Sequence, residues 1–113
     1  QKIKTIMLGI TFKQDCKDVR NSKAIELAKK IQKKFNSIDI FDPIVSKKEI
    51  TINHKLNLVN SIKKNYYNVA ILAVPHQAIL DIGIINIVNK LEKNNIFIDI
   101  MSSVTNEYKD LTL

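Results

Sequence analysis

The sequence predicts an α/β domain: a three-layer α/β/α sandwich around a Rossmann-like, mostly parallel sheet of about five strands. Three observations carry this expectation. Short apolar runs at 4–10, 69–75 and 96–101 are continuous rather than alternating, as expected of strands buried on both faces. Between them lie stretches with apolar residues at three- and four-residue spacings, clearest from Ala24 to Phe35. Strands that alternate with helices form βαβ units, and right-handed crossovers then put helices on both faces of the sheet.

The elements follow in order. KTIMLGI, 4 to 10, is the first buried strand, and 11 to 21 is a polar loop without periodicity. Asn21 or Ser22 can cap the next helix, whose apolar stripe is Ala24, Ile25, Leu27, Ala28, Ile31 and Phe35; Asn36 can end it in the left-handed conformation. SIDIFDP alternates and stops at Asp42-Pro43, a strand followed by a turn. A short helix is expected near 45 to 50, an edge strand near 55 to 58 and a short helix near 59 to 66. VAILAVP, 69 to 75, is the clearest buried strand, and 76 to 92 reads as a helical segment broken at Gly83. IFIDIM, 96 to 101, is the last strand, and the tail after Ser102 is polar.

A chain of 113 residues is one domain with one ordinary core. No apolar run approaches the ~20 residues of a membrane-spanning helix, so no membrane association is expected. The first residue is Gln1, which suggests that a segment upstream has been removed. The single cysteine, Cys16, cannot form an internal disulfide and fits a reducing, cytoplasmic setting. The net charge of +7 comes from lysines, many of them in pairs such as Lys29/Lys30 and Lys63/Lys64, with few aromatics interleaved. That pattern reads as a solvated surface rather than a nucleic-acid groove. Against this lysine background Arg20 is the single arginine. Its planar five-donor fork suits phosphate or carboxylate, which makes it a better site candidate than any one lysine.

In a doubly wound sheet ligands bind at the carboxyl ends of the strands, near the switch in strand order. Those ends carry Thr11 to Asn21, Asp42-Pro43, Pro75-His76 and Asp99 to Ser103. A primary dinucleotide site there is not expected. Its fingerprint needs a glycine-rich turn after the first strand, and this chain has only Gly9 before Ile10, Thr11 and Phe12. Asp42 then reads as a turn-starting aspartate rather than a ribose ligand. The loop instead offers Lys13, Asp15, Lys17, Asp18 and Arg20 beside Phe12. It is either a solvated loop of balanced charge or an anion site at a helix N-terminus, with Lys13 and Arg20 for phosphate and Phe12 for a flat ring. Cys16 has no base beside it in sequence and is not expected to be a nucleophile. His76 is placed at the ligand edge, although a structural histidine is the plainer reading. No Cys/His/carboxylate spacing suggests a metal.

LGITFKQDCKDVRNS, residues 8 to 22, resembles the G-L-(T/A)-F-K-x-(D/N)-x-x-D-x-R-x-S signature of the carboxy-terminal domain of the UDP-glucose/GDP-mannose dehydrogenase family. Three further segments are similar in order: IDIFDPIV at 38 to 45, NVAILAVPHQAIL at 68 to 80 and IFIDIMS at 96 to 102. The F-K-x-x-C-x-D-x-R variant most resembles the bacterial UDP-N-acetylhexosamine dehydrogenases of capsule and O-antigen synthesis. The resemblance implies that residues 1–113 are the UDP-sugar-binding domain of a larger enzyme. That enzyme would oxidise the sugar C6 alcohol to a carboxylate in two NAD-dependent steps, its NAD-binding and catalytic residues lying in upstream domains. It further implies that Phe12 and Lys13 contact the UDP-sugar and that Arg20 reaches across the interdomain cleft towards NAD. The parent would be a homodimer or higher, and the isolated domain inactive. One departure stands out: relatives often carry a basic residue two positions after Asp99, where this chain has Met101, which offers neither charge nor donor. The competing reading is a stand-alone Rossmann-like module that binds a nucleotide or a protein and regulates.

Overall fold

The computed structural model describes residues 2–100 and 111–112. Among them, six strands form one parallel sheet in the order β3-β2-β1-β4-β5-β6. These are β1 (Thr5–Leu8), β2 (Asp39–Phe41), β3 (Asn57–Leu58), β4 (Val69–Leu72), β5 (Ile96–Asp99) and β6 (Leu111–Thr112). The helices are α1 (Lys23–Phe35), α2 (Gln77–Ile82) and α3 (Ile84–Lys90). The expected α/β architecture is present, with one more strand than the sequence suggested. Order 3-2-1-4-5-6 is that of the doubly wound fold, in which the chain runs outwards from β1 in one direction, then returns to β4 and runs the other way.

Side chains alternate across each strand, and this divides the core into two layers. Ile6 and Leu8 of β1, Ala70 and Leu72 of β4 and Phe97 of β5 face Ile79, Ile84 and Ile87 of α2 and α3. Met7, Ile40 and Ile71 face the other way, against Ala24, Ile25 and Ala28 of α1. The continuous apolar runs are thus explained: both faces of β1 and β4 are covered. Burying each large apolar side chain contributes roughly 1.5–3 kcal/mol, so these strands anchor whatever loops leave them.

Ser22 caps α1, its Oγ accepting from the N–H of Ile25 at 3.2 Å, and Asn36 closes the helix at φ 67. Gly83, at φ 95, separates α2 from α3 as expected. Elsewhere the sequence reading needs correction. Residues 59 to 66 are not helical: Asn65 stands at φ 55 and donates its N–H to the carbonyl of Lys90 (2.8 Å), outside any helical pattern. The helix expected near 45 to 50 begins at Lys47 and widens into a π-helical turn over Glu49–Asn53, which brings Ile50 fully into the core. β4 ends at Leu72 rather than at 75, because the N–H groups of Ala73 and Val74 both turn to the carbonyl of Leu8 (3.0 and 3.2 Å). β6 is too short to leave a periodic signal; it pairs with β5 through Ile98↔Leu111. Met101 and the loop end at Ser102 and Ser103 lie outside the described residues. No helix among the described residues is long and apolar enough to cross a membrane.

Candidate functional site

The switch in strand order falls at β1, which pairs with β2 on one side and β4 on the other. Two chain segments leave the carboxyl ends here: Gly9 to Asn21 after β1, and Ala73 to His76 after β4. Gly9 makes their close passage feasible. It sits at φ 84, and a Cβ placed on it would lie 2.1 Å from the carbonyl oxygen of Val74.

A buried polar network joins the segments. His76, Thr11 and Asp42 are 0%, 1% and 5% exposed. One carboxylate oxygen of Asp42 accepts from the N–H of Ile10 (2.7 Å) and lies 2.9 Å from His76 Nε2; the other accepts from Ile44 N–H (3.0 Å), which makes the turn before helical residues 47–53. His76 Nδ1 accepts the main-chain N–H of Asp15 at 2.9 Å. With Nδ1 accepting from the main chain, Nε2 is the ring nitrogen that faces Asp42 as donor. Thr11 Oγ1 lies 3.2 Å from the same Nε2 and donates to the carbonyl of Lys13 (2.9 Å). Every buried polar group in the network therefore has a partner, as a buried network must to be stable.

The rest of the loop is built on this hub. Asp15, at φ 58, returns its own carboxylate to the N–H of Gln77 (2.8 Å). Phe12 N–H donates to Asp18 O (2.7 Å) and closes the base, while Ser22 Oγ donates to Ile10 O (2.7 Å). The excursion from 12 to 18 is held at its middle and at both ends.

The three expected ligand contacts sit on this platform. Phe12 is 55% exposed and borders a mainly apolar pocket of about 330 Å³, together with Asn21, Lys23, Leu27, Val74 and Ile100. Lys13 is exposed. Arg20 points into solvent and is gripped by Asp18 through two bonds of 3.0 Å, Nε to Oδ1 and one terminal nitrogen to Oδ2. The hydrogen bond from Arg20 holds the Asp18 carboxyl below its ordinary value, and Asp18 in turn raises the guanidinium. Arg20 is thus paired with Asp18, while Lys13 enters none of the ion pairs among the described residues. Cys16 is partly exposed, and His76 has both ring nitrogens committed elsewhere, so the histidine is not a base for it.

Asp42 starts the turn at Ile44 and His76 is structural, as the sequence suggested, whereas Thr11 was not singled out. Asp42 follows β2 at once, whereas Thr11 and His76 stand some residues beyond the ends of β1 and β4, so their meeting is set by the parallel strand order and by no spacing in the sequence. Asp42 also answers the dinucleotide question. Both its oxygens are engaged by Ile10, His76 and Ile44, the site is buried, and the turn after β1 has one glycine. The residues here do not fit the ribose-and-pyrophosphate grip of a primary NAD site. A second pocket, about 500 Å³, lies at the amino ends of β4 and β5 beside Lys2, Asn68 and Lys93, on the rim opposite the loop.

Comparison with known proteins gives the family and the fold. Residues 6–106 match the family model described as UDP-glucose/GDP-mannose dehydrogenase family, UDP binding domain. The UDP-N-acetyl-D-glucosamine 6-dehydrogenase of Salmonella typhi is 36% identical over 78 residues, 69% of this chain and 18% of that protein. The enzyme of the same description from Pseudomonas aeruginosa is 26% identical over 110 residues, 97% of this chain and 26% of the relative. Protein CapL of Staphylococcus aureus is 30% identical over 71 residues, 63% of this chain and 17% of its own length. A solved UDP-D-ManNAc dehydrogenase from Pyrococcus horikoshii shares the fold, with a TM-score of 0.69 at 18% identity, over 93% of this chain and 23% of that one. The chain thus spans between 17% and 26% of the relatives it matches. A sheet of order 3-2-1-4-5-6 without a dinucleotide turn, a charged loop at its switch point and a family match over residues 6–106 lead to one assignment: the chain belongs to the UDP-glucose/GDP-mannose dehydrogenase family, as its UDP-binding domain.

Proposed function

We propose that this domain, residues 1–113, holds the UDP-sugar in an NAD-dependent nucleotide-sugar 6-dehydrogenase. The parent enzyme oxidises the sugar C6 alcohol to a carboxylate in two steps, for capsular or O-antigen polysaccharide synthesis in the cytoplasm. The observation that carries this reading is the loop from Thr11 to Asn21, which presents Phe12 and Lys13 at the carboxyl rim beside the switch point. Lys13 supplies a mobile point charge for a phosphate, and Phe12 supplies the apolar wall of the adjoining pocket.

NAD belongs mainly to the parent's own N-terminal domain, because the turn after β1 and the committed Asp42 suit it poorly. Arg20 is 86% exposed at its side chain, where a partner domain can meet it. Its tie to Asp18 pre-orients the guanidinium for that encounter. The parent is a homodimer or larger.

The test uses the full-length protein. Reduction of NAD should require a UDP-sugar, with UDP-N-acetylhexosamines the first to try, and free UDP should compete with the sugar nucleotide. A protein that neither binds UDP nor reduces NAD with any UDP-sugar refutes the assignment of role.

A further inference from the structure

The exposed loop that carries Phe12 and Lys13 has few apolar anchors of its own. Only Val19 of residues 12 to 21 is buried, so the shape of 12 to 18 depends on polar ties. The central tie is to His76, which reaches it from a different strand end. Nδ1 takes the N–H of Asp15 (2.9 Å), Nε2 faces Asp42 (2.9 Å), and the Asp15 carboxylate takes the N–H of Gln77, the residue after His76 (2.8 Å). Asp42, in turn, fixes Ile10, the residue before Thr11, at the loop's entry (2.7 Å). One imidazole thus connects the entry and the middle of the loop to β2 and β4.

We propose that His76 is a positioning residue for nucleotide binding: it holds the Phe12–Lys13 platform in the conformation that receives the phosphates, without touching the ligand. This rests on the nucleotide-holding role argued above. A loop free to move at Lys13 keeps its charge but loses the geometry of the contact, and losing a charge-assisted contact typically weakens binding roughly ten- to a hundredfold.

Three substitutions in the full-length protein test it, with UDP as the probe in isothermal titration and thermal unfolding as the control for folding. His76→Gln places an amide near Asp42 and lacks the acceptor for Asp15. His76→Asn keeps an acceptor at the position of Nδ1 and gives up Asp42. A packing role would rank Gln above Asn, since Asn leaves the larger void; a positioning role ranks Asn above Gln. Asp15→Gly accepts φ 58 without strain and removes the tie to Gln77 at an exposed site, so folding is not at risk. The expected result is UDP binding weakened on the order of ten- to a hundredfold in His76→Gln and Asp15→Gly, with partial recovery in His76→Asn. KM for the UDP-sugar should rise while kcat at saturation is retained. If His76→Gln does not fold, His76→Asn decides by the same threshold, because Asp15→Gly keeps the main-chain N–H that His76 accepts and reports only on the tie to Gln77. Wild-type protein that fails to bind UDP overturns the nucleotide role and this inference with it. Wild-type binding, with the folded variants within about twofold of it, or with Gln superior to Asn, overturns the positioning role alone.

Discussion

Gly9 lies against the carbonyl of Val74 so closely that a methyl group on its Cα would sit 2.1 Å from the oxygen. This contact brings the segment after β1 onto the segment after β4, and the whole site is assembled at that crossing. Gly9→Ala should therefore cost at least about 2 kcal/mol, from a backbone clash added to a positive φ of 84°. Denaturant unfolding measures it; a loss below about 0.5 kcal/mol would show that the two segments separate easily.

Tyr67 predicts an alkaline weakness. Its ring is buried and its hydroxyl donates to Asp39, whose other oxygen accepts from Asn57 (2.8 Å). Burial, and then the bond to Asp39, push the phenol's pKa well above the ordinary value. The folded state thus retains a proton that the unfolded chain releases near pH 10. Tyr67 contributes fully below that pH, and its contribution is lost as pH rises towards the folded pKa. Tyr67→Phe should destabilise the protein by about 1–2 kcal/mol at pH 7 and should flatten the fall in stability above pH 10. Parallel wild-type and variant curves from pH 9 to 11 would contradict this.

Lys13→Ala tests the ligand contact with little risk to the fold, because the side chain is exposed and only its carbonyl is bonded, to Thr11 and Cys16. Losing a charge-assisted contact typically costs about 1.5–3 kcal/mol, roughly ten- to a hundredfold in the apparent substrate constant. Unchanged steady-state kinetics would remove Lys13 from the site.

Asp18→Asn separates the two roles of the loop's charges. The pair with Arg20 lies in solvent, so the melting temperature should not move, while the base stays closed through the main-chain carbonyl of Asp18. The freed Arg20 should lose its fixed orientation and raise KM for NAD in the parent enzyme without changing UDP affinity. An unchanged KM for NAD would place Arg20 away from the cofactor.

Much of the fold was legible because β1 and β4 are buried on both faces and α1 has one apolar stripe; burial by two helical layers leaves continuous apolar runs, and burial by one leaves a stripe. Residues 59 to 66 were misread because their local composition permits a helix, whereas Asn65 bonds to Lys90 from a left-handed conformation, a long-range contact with no local signal. At the site, the exposed ring and charges of the loop, Phe12, Lys13 and Arg20, were legible. Its architecture was not, because Thr11, Asp42 and His76 are brought together only by the parallel order of β1, β2 and β4. A buried hydrogen-bond hub leaves no periodicity in the chain that builds it.

A crystal structure of the full-length protein with UDP bound would be the most direct measurement. The account predicts the phosphates within hydrogen-bonding distance of Lys13, at the carboxyl ends of β1 and β4, with Phe12 against the ligand. UDP at the opposite rim beside Lys2 and Lys93, or bound wholly by another domain, would contradict it.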